Sequence, residues 1–195
     1  MARPIEFVYE DVITRATNQF WKDGFVASSV QKLLDATRIN RGTMYNSFGE
    51  KEVFFRSCVE QYNGMVQEQI DSTLGDDALK PAAALAAFFQ AIITGMPAAQ
   101  RSYGCLLVNS LCESINWDDQ LNKLIRDSLN TIRKALLART RELEKLRGLA
   151  SGISAEFAAD QLLGLYQLSK LNARAGKSPR QLLEQVNFSL AAILK

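Results

Sequence analysis

The stretch INRGTMYNSFGEKE, Ile39 to Glu52, sets Arg, Gly, Thr, Tyr and Asn side by side in a chain otherwise rich in Ala and Leu. At about 100° per residue on a helix, Met44 and Phe48 share one side, where Ile39, Leu33 and Phe20 can join them in a core. Gly42, Thr43 and Asn46 fall towards the other side, flanked by Arg41 and Tyr45. Facing a core, so polar a helix would leave donors unpaired; facing a groove, it would use them. Upstream, Tyr9, Val12, Ile13, Ala16 and Phe20 have the spacing of an amphipathic helix, with Gly24 as its stop. Ser28 lies three residues before Gln31, which is capping-box spacing, and a short helix is expected from Ser29 to Ala36. Asn40 offers the next N-cap, and a third helix is expected from Arg41 to about Ser47. Two short helices across a tight turn, braced by a longer one, are the layout of a helix-turn-helix.

Beyond Glu52 the apolar residues keep helical spacing almost everywhere, with no sustained alternation and no hairpin signal. The chain reads as all-α, about nine helices: an N-terminal three-helix helix-turn-helix domain over residues 1–50 and a larger helical domain over residues 51–195. A long fourth helix carries Val53, Phe54, Cys58, Tyr62, Met65, Val66 and Ile70, and Pro81 and Pro97 bracket a fifth. A short helix is expected over residues 104–115. Asn116 is expected to cap the next, with Asp118 and Asp119 in its first turn, and Gly148 and Gly152 to end it. Ser154 caps a further helix, and Ser178 with Pro179 opens the last.

Composition removes several function classes. The 195 residues contain no histidine, which excludes Ser-His-Asp and Cys-His nucleophile systems and histidine-bearing metal sites. No enzyme activity, cofactor or metal is expected. Cys58, Cys105 and Cys112 are too few and too unevenly spaced for a secreted disulfide framework. No apolar run approaches the roughly 18 residues that span a bilayer, and MARPIEFVYEDV lacks the marks of a signal peptide. A cytoplasmic chain with no membrane partner is the expectation. Net charge is only +2, so any case for nucleic acid rests on local placement.

That placement suits DNA. Arg41 can donate a bidentate pair to guanine, the Tyr45 ring can lie on a thymine methyl, and Gly42 lets the helix backbone approach base edges. Thr43, Asn46 and Ser47 are short donors suited to phosphate, and Lys51 opens the next helix, whose N-terminus also favours an anion. A solvated face is the plain alternative for the same residues, and Tyr45 can serve packing instead.

FWKDGFVASSVQKLLDATRINRGTMYNSFGEKEVFF, Phe20 to Phe55, resembles the N-terminal domain of the tetracycline-repressor (TetR) family. The resemblance covers about 50 residues. It rests on the aromatic-rich first helix, the Gly24-Phe25 break, the Ser-Ser-Val start of the second helix and the Gly-Thr-Met-Tyr run. It implies a homodimer on a palindromic double-stranded DNA operator, each recognition helix in a major groove. Base contacts are implied for Arg41, Gly42, Tyr45 and Gln31, and phosphate contacts for Ser28, Ser29, Thr43, Asn46, Ser47 and Lys51. Arg3 is the candidate for a minor-groove arm. The turn position most often Gly in that family is Arg38 here, so a non-Gly residue is expected at positive φ.

The remaining mass is expected to dimerise and to sense. The last two helices carry Phe157, Leu162, Leu165, Leu168, Leu182, Val186 and Leu190, compatible with the intersubunit bundle the resemblance implies, or with burial inside one subunit. Tyr62, Met65, Phe88, Phe89, Tyr103, Asn109, Trp117 and Tyr166 can line a cavity for a small-molecule effector, or serve as plain core. Cys105 follows Gly104 near a helix N-terminus, an environment that activates thiols, so it is a candidate electrophile sensor as well as a candidate buried thiol. The functional expectation is a transcriptional repressor released from its operator by an effector. An architectural DNA-binding protein without effector is the alternative.

Overall fold

The structure is a computed structural model and describes residues 8–113, 117 and 119–195. Among them lie ten helices: α1 (Tyr9–Asp23), α2 (Val30–Thr37), α3 (Arg41–Phe48), α4 (Lys51–Asp71), α5 (Pro81–Thr94), α6 (Ala98–Arg101), α7 (Leu106–Glu113), α8 (Asp119–Lys145), α9 (Ala155–Arg174) and α10 (Pro179–Ile193). The one-turn α6 after Pro97 exceeds the nine expected. Arg3 and the expected cap at Asn116 lie outside the described residues. Among the described residues there is no strand, only one isolated antiparallel bridge, Leu149 to Leu194, which fastens the α8–α9 loop to the last residues.

The first helix buries Val12, Ile13, Ala16, Thr17, Phe20 and Trp21; Tyr9 of the expected stripe is exposed, and Thr17 and Trp21 widen the stripe instead. It ends at Gly24, whose N–H donates to Phe20 O and whose φ of 87° suits glycine. The cap of α2 differs from the expectation. Ser29 accepts from Lys32 N, whereas Ser28 is buried and its hydroxyl donates to Gly24 O at 2.6 Å. The reason is geometric: the chain must still turn after Phe25, and Ser28 serves that turn. Asn40 caps α3 as expected, accepting from Thr43 N at 2.8 Å. Arg38 takes the left-handed conformation, φ 60°, at the C-cap of α2.

Around this module the long α4 packs on α1 and α8, α8 on α9, and α10 on α5 and α9. Buried Arg139 of α8 donates to Leu74 O and Asp76 O and pairs with Glu142, tying down the loop after α4. No single helix among the described residues is long and apolar enough to cross a membrane.

A left-handed non-Gly residue costs on the order of 1 kcal/mol. Arg38→Gly removes that strain and is expected to stabilise the protein by up to about 1 kcal/mol in urea denaturation. A loss of stability would place the turn elsewhere in φ/ψ space.

Candidate nucleic-acid interface and buried polar cluster

The apolar edge of α3 is anchored. Met44 and Phe48 are buried with Leu33, Ile39 and Phe20. The Phe48 ring stacks on Tyr9 at 4.9 Å and packs on Phe54 at 4.7 Å. With that edge fixed inward, helical periodicity turns Arg41, Gly42, Asn46 and Ser47 to solvent, while Thr43 and Tyr45 are half-buried. Ser29 and Gln31 are exposed at the start of α2, and the Gln31 amide donates to Asp35 at 2.8 Å. Arg38 and Arg41 are exposed, and neither forms an ion pair among the described residues. Two expected contacts are placed differently. Buried Ser28 does not reach this surface. The Lys51 ammonium sits 4.3 Å over the Phe25 ring, half-buried, and burial lowers its pKa.

The residues expected to line a cavity divide into two groups. Tyr62, Phe88, Phe89, Cys105 and Tyr166 are all buried. The Cys105 thiol lies 3.3 Å from the Tyr166 hydroxyl, and the Tyr166 ring stacks on Phe88 at 6.1 Å. The others lie at the junction with the N-terminal module. Trp117 packs on Phe25 and Phe55, Tyr103 on Trp21, and the Asn109 amide donates to Tyr103 O at 2.8 Å. Half-buried Met65 packs against the core.

At the centre of the first group is a residue the sequence reading missed. Lys170 of α9 is 4% exposed, and its ammonium donates to Ile92 O at 3.0 Å and approaches Met96 Sδ at 3.8 Å. No carboxylate of the described residues pairs with it. The available signal was its register, four residues after Tyr166 and eight after Leu162, on the apolar stripe of α9. Burial pulls its pKa from 10.5 down to about 8, partly opposed by the nearby Cys105. The Tyr62 and Tyr166 hydroxyls are pushed well above the usual tyrosine range by burial, with Cys105 adding to the shift. The Tyr62 hydroxyl is buried without a hydrogen-bond partner of normal geometry. Cys58 lies apart, under α1, and burial raises its thiol to about 12.

Several contacts join the body to the C-terminal end of α1. The Trp21 indole donates to Gly104 O at 3.2 Å and packs edge-on against Tyr62 at 5.0 Å. Val26 N donates to the Glu113 carboxylate at 2.9 Å, and Arg174 donates to Lys22 O and Tyr103 O.

On α9 and α10 the interface expectation needs correction. Leu162, Leu182 and Val186 are sealed within the subunit, at 0–1% exposure, and Leu165 and Leu190 are nearly so at 7%. They pack the two helices onto the body. The exposed apolar residues are Phe157, Leu168, Leu171 and Phe188. Phe157, Leu168 and Leu171 lie on one face of α9, with Gly164 exposed between them.

A helix-turn-helix with an exposed polar face is carried on a larger all-α body. Its fold is that of the TetR-family transcriptional regulators. It superposes on a TetR regulatory protein from Rhodobacter sphaeroides with a TM-score of 0.85, at 22% identity and covering 96% of this chain and all of that one. A cysteine mutant of the TetR-family regulator CifR, solved with a 26-base-pair operator DNA, gives 0.83 at 20% identity, covering 98% of this chain and all of that one. In sequence the chain is 26% identical to the HTH-type transcriptional repressor DhaR of a Mycobacterium species, covering 96% of this chain and 92% of that one. It is 25% identical to the repressor ComR of Escherichia coli, covering 96% and 90%. No family model matches the chain.

The lowered pKa of Lys170 makes a stability prediction. Between pH 8 and 10.5 the unfolded lysine holds a proton that the folded one has released, so the unfolded state binds more protons and stability rises with pH across that window. Relative to Lys170→Met, the wild type is expected to gain about 3 kcal/mol between those limits and lose it again as pH falls through 8. Parallel pH–stability curves for the two proteins would contradict the burial of a charged amine.

Proposed function

We propose that the chain is a TetR-family transcriptional repressor that binds a palindromic operator as a homodimer and leaves it when an effector occupies the body. The observation that carries this reading is the α3 helix, anchored by Met44 and Phe48 with Arg41, Gly42, Asn46 and Ser47 outward. It is supported by the shared fold with a regulator solved on operator DNA. Arg41, Gly42 and Tyr45 read base edges, while Ser29, Gln31, Thr43, Asn46 and Ser47 hold backbone and flanks. Residues 1–50 form the DNA-binding unit and residues 51–195 the sensing and dimerising one. The protein acts in the cytoplasm, and the reading calls for no enzyme chemistry.

Regulation follows from the contacts at the end of α1. The two recognition helices of a dimer must sit about 34 Å apart to enter successive major grooves. Trp21, Val26 and Lys22 are held by Gly104, Glu113 and Arg174, so a shift of the body at α7 or α9 is passed to that spacing.

Selection from a random duplex library is expected to return a near-palindrome. Arg41→Ala is expected to relax preference at one base pair per half-site, at a cost of about 1–3 kcal/mol. Asn46→Ala is expected to weaken all duplexes alike. Recovery of no enriched sequence at low salt would end the reading.

The dimer surface we assign to the exposed stripe of Phe157, Leu168 and Leu171 with Phe188. Leu168→Glu places a charge there and is expected to weaken dimerisation by roughly a hundredfold or more, measured by sedimentation. An unchanged dimer would move the interface elsewhere.

A further inference from the structure

We propose that Lys170, Tyr62 and Tyr166 form the anion-recognising end of the effector site, and that the effector is a small organic monocarboxylate; this rests on the regulator reading above. An ammonium taken out of water needs an opposite charge and a full set of acceptors. Lys170 has three N–H donors, but its neighbours are one backbone carbonyl, Ile92 O at 3.0 Å, one weak thioether acceptor, Met96 Sδ at 3.8 Å, and the face of the Tyr166 ring at 5.8 Å, none of which carries a negative charge. Beside Cys105 and Tyr166 the Tyr62 hydroxyl is buried with no partner of normal geometry, and the Tyr166 hydroxyl has the Cys105 thiol at 3.3 Å. What these unmet groups require in common is an acceptor bearing negative charge. A carboxylate supplies two oxygens, one for the ammonium and one for a phenol.

Charge and surroundings narrow the class further. Lys170 is the one buried cation of the cluster among the described residues; buried Arg139 is committed elsewhere, to Leu74 and Asp76. A single positive charge matches a monoanion, while a phosphate dianion would bring a second charge with no partner. Phe88, Ile92 and Met96 of the α5 side present apolar surface beside the ammonium, suited to a hydrocarbon body. Met96 is half-buried between exposed Gly95 and Pro97, so a flexible side chain covers the ammonium on the solvent side. Swinging it aside opens a path for a small molecule.

The test uses the full-length protein, thermal shift, and release of a labelled operator duplex. The probes are short straight-chain and benzoic-type monocarboxylates, each beside its uncharged amide. At least one acid is expected to stabilise the protein and release DNA while its amide does neither. Lys170→Gln is expected to weaken that response roughly ten- to a hundredfold, Tyr62→Phe by a smaller factor, and Cys105→Ser is expected to keep it. Should Lys170→Gln fail to fold, Tyr62→Phe carries the comparison, since it removes one donor and leaves the shape. The proposal is overturned if no acid acts on a wild type that binds its operator, if amides act as well as acids, or if Cys105→Ser loses the response as Lys170→Gln does. That last result would make the thiolate the partner of the ammonium. A wild type that binds no duplex but is still stabilised by an acid through Lys170 would sink the regulator reading alone.

Discussion

Phe20 and Trp21 are adjacent on α1, about 100° apart, and both are completely buried, each facing a different part of the molecule. Phe20 enters the core shared with Phe25, Phe54 and Phe55. Trp21 turns to the body, against Tyr62 and Tyr103, with its indole N–H on Gly104 O. One helical turn thus belongs to both halves of the molecule. The position of α3 is inherited from it, because Met44 and Phe48 seat on the same core. Burying aromatic rings of this size contributes about 1.5–3 kcal/mol each. That outweighs the roughly 1 kcal/mol of strain at Arg38, so the turn tolerates a residue that backbone preference alone would reject.

The same double burial lets the junction rest on aromatic and backbone contacts. Surface ion pairs contribute little, and those present are peripheral, such as Lys32 with Asp23 at 2.7 Å. Charged groups at the junction instead bind backbone: Glu113 accepts from Val26 N, and Arg174 donates to two carbonyls. Backbone contacts of this kind fix the end of α1 as a rigid piece, which is what a readable change in helix spacing requires.

The legible parts of the fold were those governed by local rules. Periodicity located α1 and the buried pair on α3, Asn40, Ser154 and Ser178 capped as their spacing implied, and Arg38 took the left-handed turn. What failed depended on the third dimension. Ser28 and Ser29 are equally good caps by type, and only the path of the chain after Phe25 decides between them. Leu162 and Phe157 are equally apolar, yet one faces the body and the other solvent, a distinction an apolar list cannot make without the helix's rotation. Lys51 sits by sequence where a phosphate contact is expected, but the Phe25 ring lies beneath its ammonium. Lys170 was invisible because lysine on an apolar stripe reads as a snorkelling surface residue until α5 and α9 are seen to close over it.

The buried lysine also bears on how a regulator of this build would be switched. A ligand shifts an equilibrium only by its difference in affinity for the two states, and moving a population from one in a hundred to ninety-nine in a hundred takes about 5.5 kcal/mol. Neutralising the Lys170 ammonium recovers at most about the 3 kcal/mol implied by its fall in pKa from 10.5 to about 8. The charge alone therefore falls short. For the proposed effector the balance would come from apolar contact with Phe88, Ile92 and Met96, at about 25 cal/mol per Å² of surface removed from water. A further 100 Å² or so of buried hydrocarbon closes the gap. In the site proposed above, charge recognition and bulk recognition would have to act together, so that a cluster with a single cation would respond to one molecule and ignore the many small anions around it.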